Sequence, residues 1–215
     1  MSRITERVPL YSTADAEFGP LVPLRPVSDA PAIVSAGGLS RETAARWWDS
    51  ISLTDAEERV IECLRIVARV EKIALVRSGD TLHGRSFVFK LAGEGDCIPM
   101  RALGDGVGRM FWMALALEIA RDGRLLLIDE IEHGIHNSVL PDLWRFILRA
   151  AAVQGVQVFA TTHSWDCIEA FQVAVNELEA DGALVRLARC GGAIAPTVFD
   201  RAELAVATRG EIELR

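Results

Sequence analysis

The sequence predicts an α/β protein, a mostly parallel sheet flanked by helices, and three observations carry that prediction. Residues 125–130 read Leu-Leu-Leu-Ile-Asp-Glu, an apolar run ending in two acids side by side. Continuous aliphatics mark a strand covered on both faces. A second apolar run, 156–161, has a helical pattern before it at about 137–152 and another after it at about 165–178. Strand, helix, strand, helix in that rhythm signals parallel pairing through right-handed crossovers. Residues 110–120 are almost wholly apolar, so the helix they form has little to offer solvent and must be deeply packed.

The remaining elements follow in chain order. Residues 1–39 are interrupted by Pro20, Pro23, Pro26, Pro31, Gly37 and Gly38, which predicts irregular or edge structure. Residues 1–40 are therefore expected to form an N-terminal segment and 41–215 the body of the domain. Ser40 heads one helix, and Thr54-Asp55-Ala56-Glu57 has capping-box spacing for a second. Behind Thr54, Val60, Ile61, Leu64, Val67 and Ala68 recur at helical intervals, extending that helix to about residue 70. Runs at 73–77 and 86–92, separated by Gly79-Asp80 and Gly84, predict a hairpin that ends at Gly93-Glu94-Gly95-Asp96. A closing hairpin is expected from 184–188 and 194–199, joined through Gly191-Gly192. Both hairpins would be peripheral to the parallel sheet.

With 215 residues, 50% of them apolar and 25% charged, the chain can bury one sizeable core. Its net charge of −7 exerts no global pull toward nucleic acid or anionic membrane, although a sum is silent about a local arginine patch. Cys63, Cys97, Cys167 and Cys190 stand apart with no Cys-x-x-Cys pair, so neither a zinc knuckle nor a disulfide framework is expected. No run approaches the roughly 18 apolar residues of a membrane span. The N-terminus, with Arg3, Glu6 and Arg7, lacks the apolar core of a signal peptide. A cytoplasmic protein without a membrane partner is expected.

Acids at the carboxyl end of a buried strand are costly unless something pairs with them. A hydrated Mg²⁺ carrying nucleotide phosphates is the usual partner of such an Asp, and 125–130 is a Walker B pattern. Neighbours on a strand end point different ways, so Asp129 can hold metal while Glu130 faces an attacking water. An ordinary strand end with solvated acids is the bland alternative. Thr161-Thr162-His163-Ser164 closes the next apolar run and opens the next helix. Hydroxyls there can cap the helix, and an imidazole can donate to a terminal phosphate. Gly104-Asp105-Gly106-Val107-Gly108-Arg109 places glycines and a cation at a helix N-terminus, which favours anions. Taken alone, that loop reads more plainly as a glycine turn.

Two further constellations are weaker. Glu132, His133 and His136 could be drawn as a small metal site, but no second acid or cysteine cluster is near them in sequence. Glu94 with Asp129 and Glu132 would suit a metal-dependent nuclease of Toprim type, except that Asp-x-x-Glu is the wrong spacing. A nucleotide-phosphate cradle of the ordinary kind is missing. Lys72 and Lys90 are the only lysines, and neither completes G-x-x-x-x-G-K-[ST].

Three motifs in this order and spacing, Leu103 to Gly106 before an apolar helix, Leu126 to His136, and Phe159 to Ser164, resemble the C-terminal half of ABC-like AAA-type ATPases, with a P-loop NTPase-like fold. The likeness is to the ATPase part of OLD-family proteins and, more distantly, to RecF and SMC heads. It covers about 47–171 and omits the family's first strand, P-loop and following helix. The resemblance implies ATP and Mg²⁺ as cofactors, Asp129 as metal-associated acid, Glu130 as general base and His163 as switch histidine. It also implies that Gly104, Asp105 and Gly106, with Arg109 adding charge, touch the nucleotide of a facing protomer, and that Gly134 to Ser138 form an interface loop. With the P-loop missing, a fragment or split part of an ATPase is expected; such ATPases work as head-to-tail dimers, so a homodimer or a P-loop-bearing partner chain is expected too. A role with nucleic acid, in repair or phage defence, rests on analogy alone. A non-catalytic module that completes a P-loop partner is the rival expectation.

Overall fold

The computed structural model describes residues 31–77, 84–121, 125–190 and 192–209. At its centre is a parallel sheet built from β1 (Ala32–Val34), β5 (Leu125–Ile128) and β6 (Gln157–Ala160), in the order β1-β5-β6. The crossover from β5 to β6 runs through a short 3₁₀ turn (Asn137–Val139) and α4 (Leu140–Gln154), which stops at Gly155 in the left-handed conformation. That is the usual glycine terminator of a helix. After β6, Ser164 caps α5 (Trp165–Leu178) by accepting from the Cys167 N–H.

The apolar helix is α3 (Asp105–Ile119), and it is the core. Met110, Phe111, Met113, Ala114, Leu115, Ala116 and Leu117 are all buried. It packs against β1, β5 and α4, and against α1 (Arg41–Ile51) and α2 (Asp55–Leu64). Phe111 also meets Trp48 of α1 and Phe87 and Phe89 of β3 (Arg85–Leu91) at ring separations of 4.7–5.7 Å. An ion pair with a buried carboxylate and a partly exposed arginine ties the helices together. Glu118 of α3 accepts from Arg59 Nε and Nη2 and from Gln154 Nε2.

Ser40 and Thr54 cap α1 and α2 as expected, and Glu57 reaches back to the Leu53 N–H. The second helix is shorter than its periodicity predicts. It ends at Leu64, and Val70 already opens β2 (Val70–Arg77), which pairs antiparallel with β3. The apolar residues beyond Leu64 are claimed by a turn that packs Val67 and Ala68 on the core, and β-branched Val70 suits the pleated surface. A third strand, β4 (Cys97–Pro99), adds to β3 and was not foreseen.

The closing hairpin is β7 (Leu184–Cys190) with β8 (Ala193–Phe199); the predicted link residue Gly191 lies outside the described residues. An unforeseen α6 (Arg201–Arg209) follows. Its start is a complete capping box, with Asp200 Oδ1 accepting from Ala202 and Glu203 N–H and Glu203 accepting from Asp200 N–H. Leu204 packs beside Ile168.

Among the described residues the parallel sheet is not equally covered on its two faces, although β5 itself is buried on one and partly buried on the other. Ala32, Val34, Leu126 and Ile128 turn one face to the core and are buried. The register places Ile33, Leu127 and Phe159 side by side on the other face, where Ile33 is 52% and Phe159 42% exposed. The N-terminal segment contributes β1, the edge of this sheet among the described residues; its residues 1–30 lie outside them. Among the described residues, no helix is long and apolar enough to cross a membrane.

Candidate functional site

The site is assembled at the carboxyl ends of the three parallel strands, where side chains from separate segments can converge because nothing continues the ladder. Asp129 N–H still donates to Val34 O, and Thr161 N–H to Ile128 O. Immediately afterwards the chain turns. Glu130 has φ of +49°, a left-handed conformation that costs a non-glycine residue roughly 1–2 kcal/mol.

Thr161 spans the gap between the two strand ends. Its Oγ1 donates to Asp129 Oδ1 at 2.8 Å and accepts from Glu130 N–H at 2.8 Å, while its carbonyl accepts from Ile131 N–H. One threonine thus orients the first acid and secures the backbone of the second. The Glu130 carboxylate goes elsewhere, to 3.4 Å from His133 Nδ1. The two acids therefore face different partners.

Glu132 joins the next segment to this turn. Its Oε1 accepts from His163 N–H at 2.9 Å, and its Oε2 is buried with no hydrogen-bond partner among the described residues. These hydrogen bonds link Asp129, Glu130 and Thr161, and join Glu132 to the backbone of His163. Sequence reasoning misses these contacts of Thr161 and Glu132: it offers the hydroxyls of 161–164 as helix caps and Glu132 as a metal or nuclease ligand.

The glycine loop meets the same region from the side. Gly104, with φ of +87°, is the N-cap of α3. A Cβ at Gly106 would lie 2.8 Å from Gly134 O, and one at Gly134 would lie 3.4 Å from Asp105 Cβ. The first contact leaves no room for a side chain at Gly106, and the second position is held to glycine by its φ of +72°. Gly104, Asp105 and Gly106 are thereby held against the turn that follows the acids.

Arg109 departs from expectation. Instead of adding charge to the loop's outer surface it is 4% exposed and points inward. One terminal nitrogen donates to the carbonyls of Ser35 and Ala36, the other to those of Asp129 and Glu130. Burial holds its pKa below the ordinary guanidinium value, against the opposing pull of Asp129, Glu130 and Glu132.

The minor constellations come apart. His136 uses Nδ1 to cap the 3₁₀ turn through Ser138. Glu94 lies in the turn between β3 and β4, where its carbonyl accepts from Lys90. No group of three metal-ligating side chains forms among the described residues. What remains is an oxygen-rich strand end, Asp129 beside the Thr161 hydroxyl, with donors of the kind a hard divalent cation takes.

A family model described as "AAA domain, putative AbiEii toxin, Type IV TA system" matches residues 5–166. No curated protein matches the chain. Among solved structures, an SMC ATPase from work on ATP-driven dimerization and DNA-stimulated activation is 12% identical with a TM-score of 0.53, over 80% of this chain and 98% of that one. An SMC head bound to the C-terminal winged-helix domain of ScpA is 14% identical with a TM-score of 0.54, over 80% of this chain and 56% of that one. An SMC head with coiled coil and joint from Pyrococcus yayanosii is 12% identical with a TM-score of 0.50, over 73% and 29%. At these identities the likeness is one of fold, and this chain spans about half or less of the last two.

Proposed function

Because the chain belongs to this family of AAA domains and has the P-loop NTPase fold of SMC heads, we propose that it is an ATP-binding, ATP-hydrolysing module, a fragment or split part of an ATPase whose phosphate-cradling lysine is supplied from outside these 215 residues. The observation that carries the reading is the Asp129–Thr161–Glu130 turn at the sheet's carboxyl end, with His163 tied to it through Glu132. Residues 41–215 form the ATPase body in this reading, and 1–40 an N-terminal segment.

The donors present suit Mg²⁺, which Asp129 would hold and which, when bound, neutralises charge on the outer phosphates. Glu130 acts as general base, accepting the proton of a water aimed at the γ-phosphorus as the β–γ bridging bond breaks. His163 donates to the γ-phosphate. Gly104 to Gly106 offer backbone N–H groups to the nucleotide of a facing protomer. The SMC structure above concerns ATP-driven dimerization, and a head-to-tail dimer is carried over to this chain as part of the reading.

Two features favour a lysine from outside these residues. G-x-x-x-x-G-K-[ST] is missing from them, and among the described residues Ile33 and Phe159 remain exposed on one sheet face, where a further helix could pack. The same features suit the second reading, a module that completes a P-loop partner without turning over. A cytoplasmic assembly acting in repair or defence is the setting we infer. Steady-state ATP hydrolysis, measured on the chain alone and with P-loop proteins encoded beside it, separates the readings. Turnover that appears with a partner and falls at least a hundredfold in Glu130→Gln supports the enzyme. A restored rate indifferent to Glu130→Gln would end that proposal.

A further inference from the structure

Arg109 is a buried cation that touches no carboxylate among the described residues: its hydrogen bonds run to main-chain carbonyls at two strand ends, Ser35 and Ala36 after β1, Asp129 and Glu130 after β5. A structural ion pair would place such a charge against Glu or Asp, as Arg59 does with Glu118. Here the guanidinium instead fixes the direction of two successive peptide groups. Those peptides flank the left-handed residue Glu130. Thr161 grips the same turn from the opposite side, through the Glu130 N–H. Carbonyls held by one residue and the amide by another leave the turn only one way to sit.

Arg109 also stands one helical turn beyond Asp105, the first residue of α3. Any movement of the glycine loop that shifts the start of α3 carries the guanidinium with it. Close packing of Gly106 on Gly134 O makes a second contact between the same two segments.

We propose that Arg109 is a positioning residue: it locks Glu130 in its left-handed turn and couples that turn to the Gly104–Gly106 loop, so that whatever seats on the loop sets the aim of the Glu130 carboxylate. The assignment of Glu130 as base rests on the function proposed above; the mechanical coupling does not. It turns the loop from a passive contact into a device that reports occupancy to the acid.

Amide hydrogen exchange tests the coupling without any need for turnover. In the full chain, Arg109→Met should speed exchange of the Glu130 and Ile131 amides at least tenfold while amides of α2 and the middle of α3 stay within twofold of wild type. Arg109→Lys, which keeps charge and can reach fewer carbonyls, should fall between them. Gly104→Ala perturbs the loop, since Gly104 has φ of +87° and an added methyl meets nothing within 4 Å. It should accelerate Glu130 exchange when Arg109 is present and add nothing in an Arg109→Met background. Unchanged exchange at Glu130 in both Arg109 variants, or effects of Gly104→Ala and Arg109→Met that simply multiply, would overturn the proposal. So would loss of folding in Arg109→Lys as well as Arg109→Met, which would mark the residue as merely structural. In a hydrolysing assembly, Arg109→Lys should lower kcat for Mg-ATP at least tenfold with KM within twofold; equal losses in binding would contradict positioning. If wild type never hydrolyses ATP, the function reading fails, and the exchange result still decides the role of Arg109.

Discussion

Thr161→Val removes a single hydroxyl at nearly constant volume, and its effect can be worked from two distances. The hydroxyl donates to Asp129 Oδ1 at 2.8 Å and accepts from Glu130 N–H at 2.8 Å. A hydrogen bond to a charged group contributes about 1.5–3 kcal/mol and a neutral one about 0.5–1.5 kcal/mol. Thr161 is exposed, so water replaces part of both, and the low end of the sum applies, about 2 kcal/mol. The left-handed backbone of Glu130 costs a similar amount, roughly 1–2 kcal/mol. Without the hydroxyl the turn loses most of what offsets its strain, and each ~1.4 kcal/mol shifts its local equilibrium about tenfold. Urea unfolding should show Thr161→Val less stable by about 2 kcal/mol at an unchanged m-value, with Thr161→Ser within ~0.5 kcal/mol of wild type. A double-mutant cycle with Asp129→Ala should return a coupling of about 1 kcal/mol. A Thr161→Val midpoint equal to that of wild type, or zero coupling to Asp129, would refute the claim that this hydroxyl organises the acids.

Other outcomes are as definite. Leu53 is 97% exposed with φ of +63°, so Leu53→Gly should relieve roughly 1–2 kcal/mol of strain against ~0.5–1 kcal/mol of added chain entropy; a lower melting temperature would contradict this. Gly106→Ala drives a methyl to 2.8 Å from Gly134 O and should cost about 1–3 kcal/mol, whereas Gly108→Ala, with nothing within 4 Å of its new methyl, should gain up to ~1 kcal/mol in the same helix; equal effects in thermal melts would break the packing argument. Maleimide should label exposed Cys97 in the native protein but reach Cys63 and Cys167, whose thiols burial pushes up, only after denaturant is added. The Arg85 guanidinium holds the Asp49 carboxyl below its ordinary value. Its small contribution is therefore present above the unfolded pKa and is lost as pH falls through the folded one. Arg85→Met should accordingly flatten the decline of urea midpoint on acidification below about pH 4, and an unaltered decline would show the pair to be idle.

Much of the architecture is legible in the sequence because it depends on short-range signals. Trp165–Leu178 is bounded by a capping serine at one end, and β5 by its own acids. The capping box at Asp200 is a signal of the same kind for α6, one that a reading of the closing hairpin passes over. The end of α2 is not legible because Val67, Ala68 and Val70 serve a turn and a strand as well as they would serve a helix. What the sequence hides is direction. An arginine after three glycines reads as loop charge, yet α3 is buried on nearly every side, so a residue one turn into it had nowhere to go but inward. Thr161 and Glu132 were visible as residue types, but their partners lie across a strand and become neighbours only when parallel pairing sets the register.

The strained backbone under Glu130 has a practical corollary. Glycine or asparagine would relax that peptide geometry at once, and either would erase the carboxylate. Libraries of this protein sorted for heat tolerance should therefore drift toward those replacements at position 130, enriching molecules that are sturdier and chemically silent. Selection for robustness and selection for turnover pull this one residue in opposite directions.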